Sequence, residues 1–126
     1  MIDRMILGVM TAVVMAAGQP ASAADAARQL SGGEVTRRFS GMELTDEAHW
    51  AYVFAGAGIL TLYSLGKKTT GHWRVDSNKL CMSEGRTAGL QCYAVWISGT
   101  DVELRPSQEA SPPLAGVLMK PRKHNL

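Results

Sequence analysis

The sequence predicts a mainly β fold: an antiparallel meander or a small, partly closed β-barrel of six to eight strands, with one short N-terminal helix. Three observations carry that expectation. Apolar and polar residues alternate with period two through the middle of the chain, as in Trp73 and Val75 against His72 and Arg74. Turn-forming clusters such as Asp76-Ser77-Asn78 and Ser98-Gly99-Thr100 recur between the alternating runs. The two cysteines, Cys81 and Cys92, fall on adjoining predicted strands, where one disulfide would tie them.

Ahead of this domain stands a different kind of segment. Met1-Ile2-Asp3-Arg4 is a charged head, Met5 to Ala17 carries no charge, and Gly18-Gln19-Pro20 leads into Ala21-Ser22-Ala23. Head, apolar run and A-x-A site in that order make residues 1–23 a signal peptide, cut after Ala23. A helix over the apolar run would be about 20 Å long, short of a hydrocarbon core of about 30 Å, so a membrane anchor fits worse. The expected product is residues 24–126, exported to the periplasm or the extracellular space without stable membrane insertion. It divides into a single β-rich domain over 24–119 and a basic C-terminal tail over 120–126. Twelve Lys and Arg against ten Asp and Glu leave a mature charge near +2, and no basic patch with interleaved aromatics suggests a nucleic-acid partner.

An oxidising compartment makes a structural disulfide the simplest use of two cysteines. Joining Cys81 to Cys92 would close a loop of about twelve residues, worth roughly 3 kcal/mol in the chain-entropy model. The spacing is not C-x-x-C, and two cysteines alone do not make a zinc site.

The elements follow in order. Ser31-Gly32-Gly33-Glu34 fits a capping box, with Leu30 and Val35 placed as a hydrophobic staple. Val35 and Phe39 share a face, Arg37 and Arg38 suit the last turn, and Ser40-Gly41 ends the helix. Ala48 to Ala55 alternates as a strand, Gly56-Ala57-Gly58 turns, and Ile59 to Leu65 is a second strand with apolar groups on both faces. Pairing Cys81 with Cys92 sets Leu80 opposite Tyr93 and Met82 opposite Gln91. Four-residue turns on either side then set Val75 opposite Leu80, Trp73 opposite Met82, Ile97 opposite Val102 and Val95 opposite Leu104. One face of the sheet becomes apolar, and a one-residue slip would destroy it. Gly116 to Met119 is the candidate closing strand, and Lys120 to Leu126 reads as a frayed, solvated tail.

Leu30-Ser31-Gly32, Trp50 to Phe54, Gly58, Gly71-His72-Trp73-Arg74-Val75, Leu80-Cys81 and Cys92-Tyr93-Ala94-Val95 together resemble a group of small exported bacterial β-meander proteins of unknown function, with a G-x-W…L-C…C-Y pattern. The pattern is distantly similar to the lipocalin and calycin barrels, which place a tryptophan after G-x on a strand. That resemblance implies a barrel and supplies no catalytic residue.

No H-E-x-x-H, G-x-S-x-G or Walker loop occurs, so no catalytic residue, metal or cofactor is expected. One reading brings His49 and His72 together with Asp46 or Glu47 as a metal or acid–base cluster; two solvent-facing histidines are the simpler reading. Trp50, Tyr52 and Tyr63 are expected in the core. Trp96 falls on the outer face beside the disulfide, so Trp96 with Arg74 is the candidate partner contact; the competing reading packs Trp96 beneath the helix or another strand. The expected function is a non-enzymatic exported binding module for a protein or envelope component. The alternative is a lipocalin-like carrier of a small apolar ligand, with a pocket lined by Trp50, Tyr52, Phe54 and Trp73. A hydrolase comes third.

Overall fold

The computed structural model describes residues 11–14, 26–85, 89–108 and 110–124. Apart from residues 11–14, the expected signal peptide lies outside the described residues. Among them, no helix is long and apolar enough to cross a membrane.

The chain runs through β1 (Arg28–Gln29), α1 (Gly32–Phe39), β2 (Glu43–Thr45), β3 (Trp50–Phe54), β4 (Ile59–Ser64), β5 (Lys67–Asp76), β6 (Lys79–Ser83), β7 (Gln91–Ser98), β8 (Asp101–Pro106) and β9 (Leu114–Met119). Strands β2 to β9 pair in sequence order, every pair antiparallel, and β9 returns to β2 through Glu43–Met119, Leu44–Leu118 and Thr45–Val117. The meander is therefore a closed eight-stranded barrel. The ninth strand, β1, pairs with β7 at Trp96 and Ile97, beyond the Gln91 to Ala94 stretch that β6 covers.

The turns explain why the register is unique. Ser77 and Asn78 both have positive φ, 47° and 63°, as do Leu65 and Gly66, 53° and 72°. Two consecutive left-handed residues match the twist of a tight hairpin and fix which residues face each other. Cys81 opposes Cys92, Leu80 opposes Tyr93, Val75 opposes Leu80 and Val95 opposes Leu104, as the sequence pattern requires. The Cys81–Cys92 disulfide joins β6 to β7. Inside the barrel lie Leu44, Tyr52, Phe54, Leu60, Trp73, Leu80, Met82, Val95, Ile97, Val102, Leu104 and Leu118.

Helix α1 begins as its capping box dictates, with Ser31 accepting from the Glu34 amide and Glu34 reaching back to the Ser31 amide. Its apolar pair, Val35 and Phe39, is wholly buried, and the Phe39 ring meets Phe54 edge-on at 5.1 Å. The Gly32 N–H donates to Asn78 Oδ1 at 2.7 Å, so the helix lies over the end of the barrel marked by the β5–β6 turn.

Two expectations are corrected. Tyr63 is not in the core: it opposes Ala51 on the outer side of β4, because Leu60 and Leu62 take the inner positions. The tail is not frayed over Lys120 to His124. It lies on the outside of the barrel over Glu43, a β2 carboxylate with no exposure at all.

Candidate functional site

The four aromatic residues expected to line an interior pocket do come together. Phe54 takes the edge of Trp73 at 5.5 Å, Tyr52 lies 6.4 Å from Phe54, and Trp50 lies 5.3 Å from Tyr52. They pack on one another, and Trp73 Nε1 donates to the Ala55 carbonyl at 2.8 Å. The Trp50 indole has room because residue 116 is glycine: a Cβ there would sit 2.8 Å from Trp50 Cη2. At the opposite end from α1 the barrel has a polar mouth. Tyr52 donates its hydroxyl to Glu84, and a hollow of about 330 Å³ is lined by Met82, Glu84, Gly89, Gln91 and Tyr93. Burial, reinforced by the hydrogen bond to Glu84 and its negative charge, pushes the Tyr52 hydroxyl far above the usual range; burial and Glu84 also raise Tyr93.

The outer face carries the second region. Trp96 stands on β7 opposite Glu103 of β8 and Gln29 of β1, half-buried and not beneath the helix. The Arg105 guanidinium lies 4.1 Å from the centre of its ring, while Arg105 Nε donates to Glu103 at 2.7 Å. The indole is thereby clamped between a cation and the sheet. Beside it runs a mainly apolar groove of about 460 Å³, floored by Ala115 and Val117 and edged by Ser98, Asp101 and Glu103. Arg74 is not part of it. It stands on β5 opposite Cys81 of β6, reaches Asp76 at 3.8 Å and lies across the disulfide from β7.

The histidines do not cluster. His49 precedes the Trp50–Ser64 pair while His72 opposes Ile59, at the two ends of β4. Both are exposed, and among the described residues no set of His, Cys, Asp and Glu is placed to hold a metal. His49 instead pairs through Nδ1 with Asp46 at 2.8 Å. Burial acts to raise the Asp46 carboxyl, but it is outweighed by the amides of His49, Trp50 and Ala48, which hold it far below the usual carboxylate range.

The third region, where the tail meets the barrel, has no counterpart in the sequence pattern. The Arg122 amide and Nε donate to Glu43 at 3.4 and 3.3 Å, and His124 Nε2 meets the same carboxylate at 2.5 Å. The His124 ring stacks on Tyr63, centroids 4.1 Å apart and planes within 15°. An Arg and a His in the tail and a lone Glu in a strand carry no mutual signal in sequence. Their pairing exists only after β9 has closed on β2.

Fold and sites together define an eight-stranded antiparallel barrel with a stapled strand pair, an end-capping helix and a docked tail. No protein-family model, curated protein or solved structure matches the chain.

Proposed function

We propose that the chain is an exported, non-enzymatic binding module whose partner, a protein or an envelope component, docks on the outer groove against Trp96. The observation that carries this reading is the clamped indole. An aromatic side chain already immobilised by Arg105 and by a disulfide-tied strand loses little freedom on binding, and such anchors dominate interface energies. Support for export comes from the residue 1–23 pattern and from a disulfide in a small barrel, which suits an oxidising compartment.

The test is co-purification from an envelope fraction with tagged wild type, Trp96→Ala and Arg74→Ala. A specific partner retained by wild type and Arg74→Ala but weakened tenfold or more in Trp96→Ala is the expected result. Equal retention by all three would remove Trp96 as the anchor.

A second reading, a carrier of a small apolar ligand, is favoured by the hollow at the barrel mouth. The ligand would enter past Tyr93 and Met82, since Phe54 and Trp73 already fill the space behind. Saturable displacement of a hydrophobic dye by fatty acids, lost in Met82→Glu, is what that reading requires.

A further inference from the structure

The chain leaving β6 bends inward over the barrel mouth. Gly71 is an inner position of β5, in step with Trp73 two residues on, which opposes Met82. A Cβ at Gly71 would collide with the Ser83 carbonyl oxygen and lie 2.9 Å from the Gly85 amide nitrogen. A glycine there lets the Ser83 to Gly85 backbone lie against the inner side of β5, and Glu84 is carried across the opening with it. Buried Tyr52 donates its hydroxyl to Glu84 Oε1, which leaves Oε2 without a partner among the described residues. Met82, Gln91 and Tyr93 line the same hollow from the inner face: Met82 opposes Gln91, and Leu80 of the core opposes Tyr93.

The hollow is thus a tethered carboxylate in a surround of phenol, thioether and amide. Among the described residues no Lys, Arg or His lines it, and Glu84 forms no ion pair. Tyr93, whose hydroxyl is raised by burial and by the Glu84 charge, stands beside that carboxylate. A carboxylate flanked by groups of low polarity, with no counter-charge, attracts a cation more strongly than one in open water. One carboxylate does not make a metal site, because hard cations take several oxygen ligands. It does repel an acid head, so the same group that attracts one ligand class excludes the other.

We infer that the barrel mouth binds a small organic cation: an ammonium head on a compact apolar or aromatic body. The head lies against the free oxygen of Glu84 and the Tyr93 ring, since a carboxylate and a ring face both attract positive charge. The body lies over Met82. The hollow, about 330 Å³, is at the small end of ligand sites, which suits a compact molecule. This rests on the carrier reading and names the head group that reading leaves open. Glu84 is tethered before any ligand arrives, so its direction is set in advance by Tyr52.

The test is an NMR titration of the whole exported chain with three compounds of similar shape: 2-phenylethylammonium, 2-phenylethanol and 3-phenylpropionate. The ammonium should shift the amide signals of Met82, Gln91 and Tyr93 saturably, about tenfold tighter than the alcohol, with the propionate weakest. Glu84→Gln keeps an oxygen for the Tyr52 hydroxyl and should bring ammonium and alcohol within about twofold of each other. Tyr93→Phe keeps the ring and should bind the ammonium as wild type does, whereas Tyr93→Leu should lose about fivefold. If all three compounds bind alike at these signals, the inference is overturned and the carrier reading stands. If none shifts them at millimolar concentration, both fall. A preference for the ammonium that survives in Glu84→Gln, or Tyr93→Leu binding as tightly as wild type, also overturns the inference. These outcomes do not involve Trp96, so they stand or fall separately from the docking groove.

Discussion

Gly116 on β9 and Trp50 on β3 occupy the same space from opposite sides of β2. A Cβ at 116 would lie 2.8 Å from Trp50 Cη2 and 2.9 Å from the Thr45 carbonyl. The second of these is backbone, which cannot swing away as a side chain can. Gly116→Ala is therefore expected to destabilise the barrel by about 1–3 kcal/mol, the usual range for overpacking. Urea denaturation measures it. Adding Trp50→Phe should restore part of the loss if the indole is the obstacle, and none if the Thr45 carbonyl is.

The docked tail makes a second prediction. Among the described residues, the side chains that pair with Glu43 are Arg122 and His124. Removing one partner of a buried carboxylate costs more than the pair contributes when intact. Truncation after Met119 should lower stability by about 2–4 kcal/mol, and much of that should return when Glu43→Gln is added, because the amide needs no counter-charge. Trypsin gives an independent readout: cleavage after Arg122 should be slow in wild type and fast in Glu43→Gln.

Tyr52 sets the alkaline limit. Its hydroxyl is buried and donates to Glu84, both of which favour the protonated form well above the ordinary value of 10.0. A group raised in the folded state stabilises fully below its unfolded value and loses that contribution as pH rises beyond it. Stability should therefore begin to fall above about pH 10, where the unfolded chain ionises and the folded one does not. Tyr52→Phe should flatten that fall in alkaline denaturation curves. An unchanged alkaline limb would show that Tyr52 is not responsible.

Reducing the disulfide tests how far the barrel depends on its staple. The loop closed by Cys81 and Cys92 predicts a loss of roughly 3 kcal/mol. The tight turn at Ser77 and Asn78 is unaffected by reduction, so the β5–β6 register should survive. Circular dichroism in reductant should show a lower melting temperature with strand content unchanged below it.

Much of this architecture was legible before any coordinates. The stretch from His72 to Leu104 alternates cleanly because its outer side faces water, and its turns have residues suited to left-handed backbone. The capping box at Ser31 and Glu34 is likewise a local signal for a local structure. Where legibility failed, the information was not local. In β2, the run Glu43-Leu44-Thr45 is too short for its polar–apolar–polar alternation to mark a strand, and nothing in it signals that all three are buried. Tyr63 reads as core by composition, yet its ring is covered by His124 from outside the barrel. The hollow at the docked tail is built from two turns, β2–β3 and β4–β5, and the C-terminal segment, which share no spacing. Trp96 was assigned to the correct face through the disulfide register, whereas the clamp by Arg105 depends on a strand added after it.

The closure of β9 on β2 has one more consequence. An open sheet of this size would present two rows of unsatisfied amides and carbonyls to neighbouring copies, a template for fibrillar stacking. Here the ladder bends round on itself, and β1 occupies the stretch of β7 that outruns β6. At high local concentration, self-association through backbone pairing would first require prising the ring apart.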